Sequence, residues 1–106
     1  MTVAVHRGNV WWADVPGDKR RPVVVLTRER FISRLNSVLV APVTSTVRSI
    51  PTEVVLDAAD GMPRACAANF DNVFTISRAR LQVRITHLSP AQLDLVCRAH
   101  RFAVGC

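Results

Sequence analysis

Residues Lys19–Glu29 read KRRPVVVLTRE: three cations, a proline, then a run of β-branched residues. A continuous apolar run of this length, bounded by charge, predicts a strand buried on both faces, and proline is tolerated at a strand's first position. Burial on both faces makes such a strand a stiff support. Lys19, Arg20 and Arg21 would then be carried at the mouth of a rigid ribbon rather than on a loose loop.

The neighbouring segments supply a sheet around it. Gly8–Val15, GNVWWADV, combines aromatic and β-branched residues and stops at a Pro16-Gly17 turn, which predicts a first strand. Arg28–Asn36 spaces Phe31, Ile32 and Leu35 helically, over too few residues for more than a turn or two. Ser37–Thr46 predicts a third strand, in which Pro42 implies a bulge, an edge or an early end. Thr52–Asp57 predicts a fourth, and the turn Asp60-Gly61-Met62-Pro63 leads to a fifth over Ala65–Val73. Gln82–His87 alternates Val83 and Ile85 with Arg84 and Thr86, the period of a half-buried sixth strand. A helix follows, with Ser89 as N-cap, Pro90 at its first position, Gln92 completing a capping box and Leu88 with Leu93 as a hydrophobic staple. Leu93, Val96, Cys97 and His100 share one face of that helix, which should end near Phe102. Short antiparallel strands closed by one helix predict a mainly β fold with a C-terminal helix, built as a small barrel or strongly bent sheet.

Composition narrows the partners. The 106 residues carry 14 Lys+Arg against 8 Asp+Glu, a formal net charge of +6, and thirteen of the fourteen cations are arginine. That balance points to a polyanionic partner, and arginine favours bidentate contacts to phosphate and carboxylate. With no repeat, low-complexity tract or linker, residues 1–106 are expected to form a single domain. No apolar run approaches the ~20 residues of a membrane span, and His6, Arg7 and Asn9 interrupt the first ten residues, so a cytoplasmic location is expected. Cys66, Cys97 and Cys106 lack C-x-x-C spacing and are expected as reduced thiols, the first two in the core and Cys106 on a frayed terminus.

Phosphate-loop, dinucleotide-binding, H-E-x-x-H and G-x-S-x-G motifs are all missing, and His6, His87 and His100 lie far apart in sequence. No metal site is expected. The remaining candidates for chemistry are polar groups at strand ends: Arg20-Arg21, Thr44-Ser45-Thr46 and Asn69-Asp71-Asn72. Asp71 falls in an otherwise apolar stretch, where an ionised carboxylate is costly without a partner. It is expected to meet an arginine or line a cleft.

The succession RGNVWWADV, KRRPVVVLT, VLVAPVTS, PTEVVL and NFDNVFTISRARL resembles the MazF/PemK toxins of toxin-antitoxin modules, from about Arg7 through the helix. The resemblance implies a homodimer of small SH3-like or CcdB-like barrels acting as a sequence-specific, ribosome-independent endoribonuclease. It also implies that single-stranded RNA is cleaved by its own 2′-OH with neither metal nor other cofactor, leaving a 2′,3′-cyclic phosphate and a 5′-OH. A cognate antitoxin would neutralise the enzyme, and DNA would be bound only through the toxin-antitoxin complex. The alternatives are a non-catalytic, CcdB-like protein-binding toxin and a catalytically decayed paralogue.

By the same resemblance Arg21 and Thr44 occupy catalytic positions, and Asp71 matches an acidic position given a base or orienting role in some members. Lys19, Arg20, Ser45, Thr46, Asn69 and Asn72 would contact RNA. Asn69 stands where the family can carry a basic residue, and the Pro16–Arg20 loop is shorter than in many members. Trp11 and Trp12, adjacent on one strand, must point to opposite faces. One is expected in the core and the other at the dimer contact rather than under an RNA base.

Overall fold

The computed structural model describes residues 4–105. It contains seven strands and two helices: β1 (Asn9–Ala13), β2 (Arg21–Val25), α1 (Glu29–Ile32), β3 (Ser37–Thr44), β4 (Glu53–Leu56), β5 (Cys66–Asn69), β6 (Phe74–Ser77), β7 (Leu81–His87) and α2 (Pro90–Val104). The strands pair antiparallel in the order β4-β5-β3-β2-β1-β7, with β6 also on β3. The path starts at β4 and ends at β7 without closing. The result is a bent, roughly barrel-like sheet with a C-terminal helix, as the pattern of short strands predicted.

Val23, Val24 and Val25 of β2 are wholly buried, and they alternate between two apolar clusters. Val24 joins Val10, Ala41, Val43, Phe70 and Leu88 beneath α2, which contributes Val96 and Ala99. Val23 and Val25 join Trp11, Ile32, Val38, Val40 and Ile76 on the opposite face. A buried aliphatic side chain contributes about 1.5–3 kcal/mol through desolvation alone, so three consecutive ones fix the position of β2 firmly.

The bend is located by Pro42. On one edge β3 pairs β2, with Val23 opposite Pro42. On its other edge it pairs β6 through Ser37–Val40 and β5 through Val43 and Thr44. The Leu26 N–H donates to the Leu39 carbonyl at 2.8 Å, and hydrogen-bonded pairs recur at every second residue of an antiparallel ladder. The missing N–H of Pro42 therefore faces away from β2, into the gap between β6 and β5, where no ladder needs it.

Four local expectations change. The fifth strand ends at Asn69 instead of Val73, because the Asn69 side chain accepts the Asp71 N–H at 2.8 Å and turns the chain into a 3-10 turn, Phe70–Asn72. The chain then enters β6, a strand the sequence did not announce. At the start of α2, Ser89 Oγ accepts the Gln92 N–H at 3.2 Å, but the Gln92 side chain donates to Asp60 Oδ1 at 2.7 Å rather than closing a capping box. A nearby carboxylate makes the stronger, charge-assisted bond. The helix also runs to Val104, where Gly105 caps it at φ 75°.

Cys66 is buried and Cys97 half-buried; the terminal Cys106 lies outside the described residues. Among the described residues no helix is long and apolar enough to cross a membrane. Glu29 holds the segment before β1 to α1, pairing with His6 Nδ1 and accepting the Arg7 N–H at 2.7 Å. The His6 contact and the Arg7 N–H hold its carboxyl below the usual glutamate range.

Gly61 gives the fold a test. Its φ is 92°, and a Cβ added there would lie 2.8 Å from Thr86 Cβ and closer still to Thr86 Oγ1, which is fixed by donating to the Asp60 carbonyl at 2.9 Å. Gly61→Ala should lower unfolding free energy by about 2–4 kcal/mol through the left-handed backbone and the clash. Urea denaturation of the two proteins would read that difference.

Candidate active site

The β2–β3 ladder ends at Val23 opposite Pro42, and Arg21 and Thr44 lie two residues beyond that pair on their own strands. Both line a cleft of about 390 Å³. Its apolar lining comes from Trp12, Pro22, Val43, Met62, Pro63 and Cys66, and its cations are Lys19, Arg20, Arg21 and Arg64. Ser45 and Thr46, just past the end of β3, also line it.

Arg21 is the least exposed of these cations. Its side chain is 23% exposed, and its Nε pairs with Asp18 Oδ2 at 2.9 Å, a contact three residues back across the loop. Among the described residues neither Nη group has a protein partner, so the two-pronged end of the guanidinium is available to an anion. The Lys19 N–H donates to Asp18 Oδ1 at 2.7 Å. That bond, followed by the Arg21 contact, holds the Asp18 carboxyl below the ordinary aspartate range.

Thr44 Oγ1 accepts the Thr46 N–H at 3.2 Å. The hydroxyl proton is left free among the described residues to donate to an incoming oxygen. Cys66, though it lines the cleft, is no nucleophile: its thiol is directed at the Leu56 carbonyl, 3.6 Å away. Burial, with smaller help from Asp60, pushes its pKa up, and only the thiolate attacks.

The third group of expected site residues lies elsewhere. Asn69, 5% exposed, is used in capping the turn that follows it. Asp71 sits in that turn, exposed, and accepts the Thr52 hydroxyl at 2.6 Å. It is neither in a strand nor, among the described residues, paired with an arginine; at the surface water solvates the carboxylate and no cationic partner is required. Asn72 is exposed on the same turn, and none of the three lines the cleft. The cleft has no carboxylate or imidazole among its lining residues. Among the described residues no cluster of three His, Cys, Asp or Glu is placed to hold a metal ion.

Comparison with known proteins shows the family. Residues 6–103 match the family described as PemK-like, MazF-like toxin of type II toxin-antitoxin system. The chain belongs to that family. It is 43% identical over 107 residues to a probable endoribonuclease, MazF5, of Mycobacterium tuberculosis strain ATCC 25618/H37Rv, covering 100% of this chain and 98% of that one. The solved structure of Mycobacterium tuberculosis toxin MazF-mt6 superposes with a TM-score of 0.85 at 36% identity, covering 92% of this chain and 96% of that one. An endoribonuclease from Mycobacterial species, solved in complex with its cognate antitoxin, shares the fold with a TM-score of 0.85 at 24% identity, covering 96% of each chain.

Two cleft residues of this PemK/MazF-family chain were not picked out as candidates from sequence. Arg64 follows the Met62-Pro63 turn and reads locally as a loop cation; only the fold brings it to the cleft holding Arg21. Of Trp11 and Trp12, one was expected in the core and the other at a dimer contact; Trp11 is the core residue. The structure sets Trp12 in the cleft lining, with the Arg20 guanidinium 4.7 Å from its ring centroid.

The Asp18-Arg21 pair should be visible in a carboxyl titration followed by NMR. Asp18 should titrate below an ordinary aspartate and move upward in Arg21→Ala. Because folding depresses this pKa, the pair's stabilising effect is in place at neutral pH and lost as pH falls through the depressed value. An Asp18 midpoint unmoved by Arg21→Ala would show that the pair does not persist in solution.

Proposed function

We propose that the chain is a sequence-specific, metal-independent endoribonuclease toxin that cleaves single-stranded RNA in the cleft between Arg21 and Thr44. The observation that carries this reading is the free Nη pair of Arg21, held by Asp18 on a ribbon whose next residues are buried on both faces. In-line attack by a ribose 2′-OH adds negative charge to the phosphate oxygens, and a preorganised guanidinium fork stabilises that charge as it develops. Thr44 donates its hydroxyl to a phosphate oxygen and positions the group for attack. The products are a 2′,3′-cyclic phosphate and a 5′-OH.

Lys19 and Arg64, with the charge of Arg20, make the surroundings of the phosphodiester chain positive, and phosphate contacts of this kind set affinity and register. Ser45 and Thr46 hydrogen-bond the nucleotide beside the cut. An extended single strand suits this site because its backbone can reach the in-line geometry that an A-form helix resists. Asp71, Asn69 and Asn72 shape the turn under α2, away from the reacting phosphate. The chain works as one domain, residues 1–106, in a cytoplasmic homodimer restrained by a cognate antitoxin. Its net charge of +6 and the antitoxin complex of a fold relative support that partner.

Purified protein incubated with single-stranded RNA in excess EDTA should generate cyclic-phosphate and 5′-OH ends. A folded Arg21→Ala protein should cleave at least about 100-fold more slowly, the scale of losing one preorganised donor to a developing anion. RNA left intact by the unaltered protein would instead favour a toxin that acts by binding a protein.

A further inference from the structure

We propose that Trp12, with Arg20 laid over it, is a stacking platform for one unpaired nucleobase beside the scissile phosphate, and so a determinant of which RNA sequences are cleaved. This inference rests on the ribonuclease reading and deepens it, by assigning base recognition to residues on the cleft wall.

Adjacent tryptophans of β1 have separate fates. Trp11 is 4% exposed in the core, its Nε1–H donating to Asn9 Oδ1 at 3.3 Å. Trp12 shares the face of Val10 and Val24, where the helix-covered cluster runs out, and stays half-buried in the cleft lining. Its ring is covered by Arg20, whose carbon Cζ lies 4.7 Å from the ring centroid. Arg20 is held a second time through an in-plane N–H, Nε donating to Gln82 Oε1 at 2.7 Å. Two contacts on one guanidinium fix the group in place while the residue itself remains exposed.

A cation held only for phosphate contact needs no such arrangement, since a freely moving lysine would serve. A guanidinium stacked on an indole presents a flat, cationic outer face, and unpaired bases stack on arginine planes as they do on aromatic rings. Arg20 and Arg21 are consecutive and line the same cleft, so a base resting on Arg20 belongs to a nucleotide next to the phosphate gripped by Arg21. Stacking tolerates every base but favours the larger rings. The platform therefore selects modestly for a purine at one position.

The test uses the full chain and a labelled single-stranded RNA carrying one 2′-deoxy nucleotide at the mapped cut, which removes the nucleophile. Each neighbouring base is replaced in turn by an abasic ribose, and Kd is read by anisotropy. At one position base loss should weaken wild-type binding about tenfold. The same loss should have no effect in Trp12→Leu or Arg20→Ala, while Trp12→Phe should keep most of it. Loss of Arg20 as a mere phosphate contact would instead weaken all RNAs equally and leave the positional profile intact. An unchanged profile in the variants overturns the platform alone; Arg20→Ala, altering an exposed side chain, carries the test if Trp12→Leu does not fold. Failure of the wild type to cleave unmodified RNA overturns the ribonuclease reading and this inference with it.

Discussion

The site depends on the pairing of β2 with β3. Slipping an antiparallel ladder by one residue would turn every side chain to the other face. Here such a slip would exchange Val24 with Val23 and Val25 between two separate apolar clusters. Both faces of β2 therefore resist it, unlike a strand with one solvated face. That ladder ends at Val23 and Pro42, and Arg21 and Thr44, each two residues beyond it on its strand, line the same cleft. The placement of these two side chains at the strand ends is thus inherited from hydrophobic packing several residues away, and the charged groups need not enforce it.

This arrangement also explains how the cleft tolerates crowded positive charge. Lys19, Arg20, Arg21 and Arg64 share one lining, and only Asp18 is paired with any of them among the described residues. Like charges at such spacing repel, but water and salt screen exposed groups. Asp18 lies against the Nε edge of Arg21, so the ion pair fixes one edge of the guanidinium and leaves its two Nη groups without a protein partner among the described residues.

Much of this was legible in the sequence because the signals were local and redundant. VVVLT bounded by charge could hardly be other than a buried strand, and Ser89-Pro90 before an apolar helical stripe marked α2. Pro42 was recognised as a disturbance of β3, although its meaning, a hand-over between β6 and β5, required the sheet order. The misreadings share a cause. Asn69 has a side chain that can replace a ladder bond by a turn, and nothing within Ala65–Val73 shows which option wins until Phe70 is seen buried against α2 and His100. The placements of Arg64 and Trp12 are likewise long-range facts: each depends on which loop the bent sheet brings over the end of β2.

The short loop before β2 draws these points together. The Asp18 N–H donates to the Val15 carbonyl at 3.0 Å and Gly17 adopts φ 75°, so the chain reverses tightly after β1. Asp18 then folds back onto Arg21, while Arg20 turns to Trp12 and Gln82. A long loop covering a cleft must be ordered when substrate arrives, at an entropic cost that grows with the number of residues fixed. Here the loop is already pinned at two points by the residues that line the cleft. Shortening it exchanges a movable cover for a preformed wall, and the two pins are the ion pair that aims Arg21 and the stack that holds Arg20.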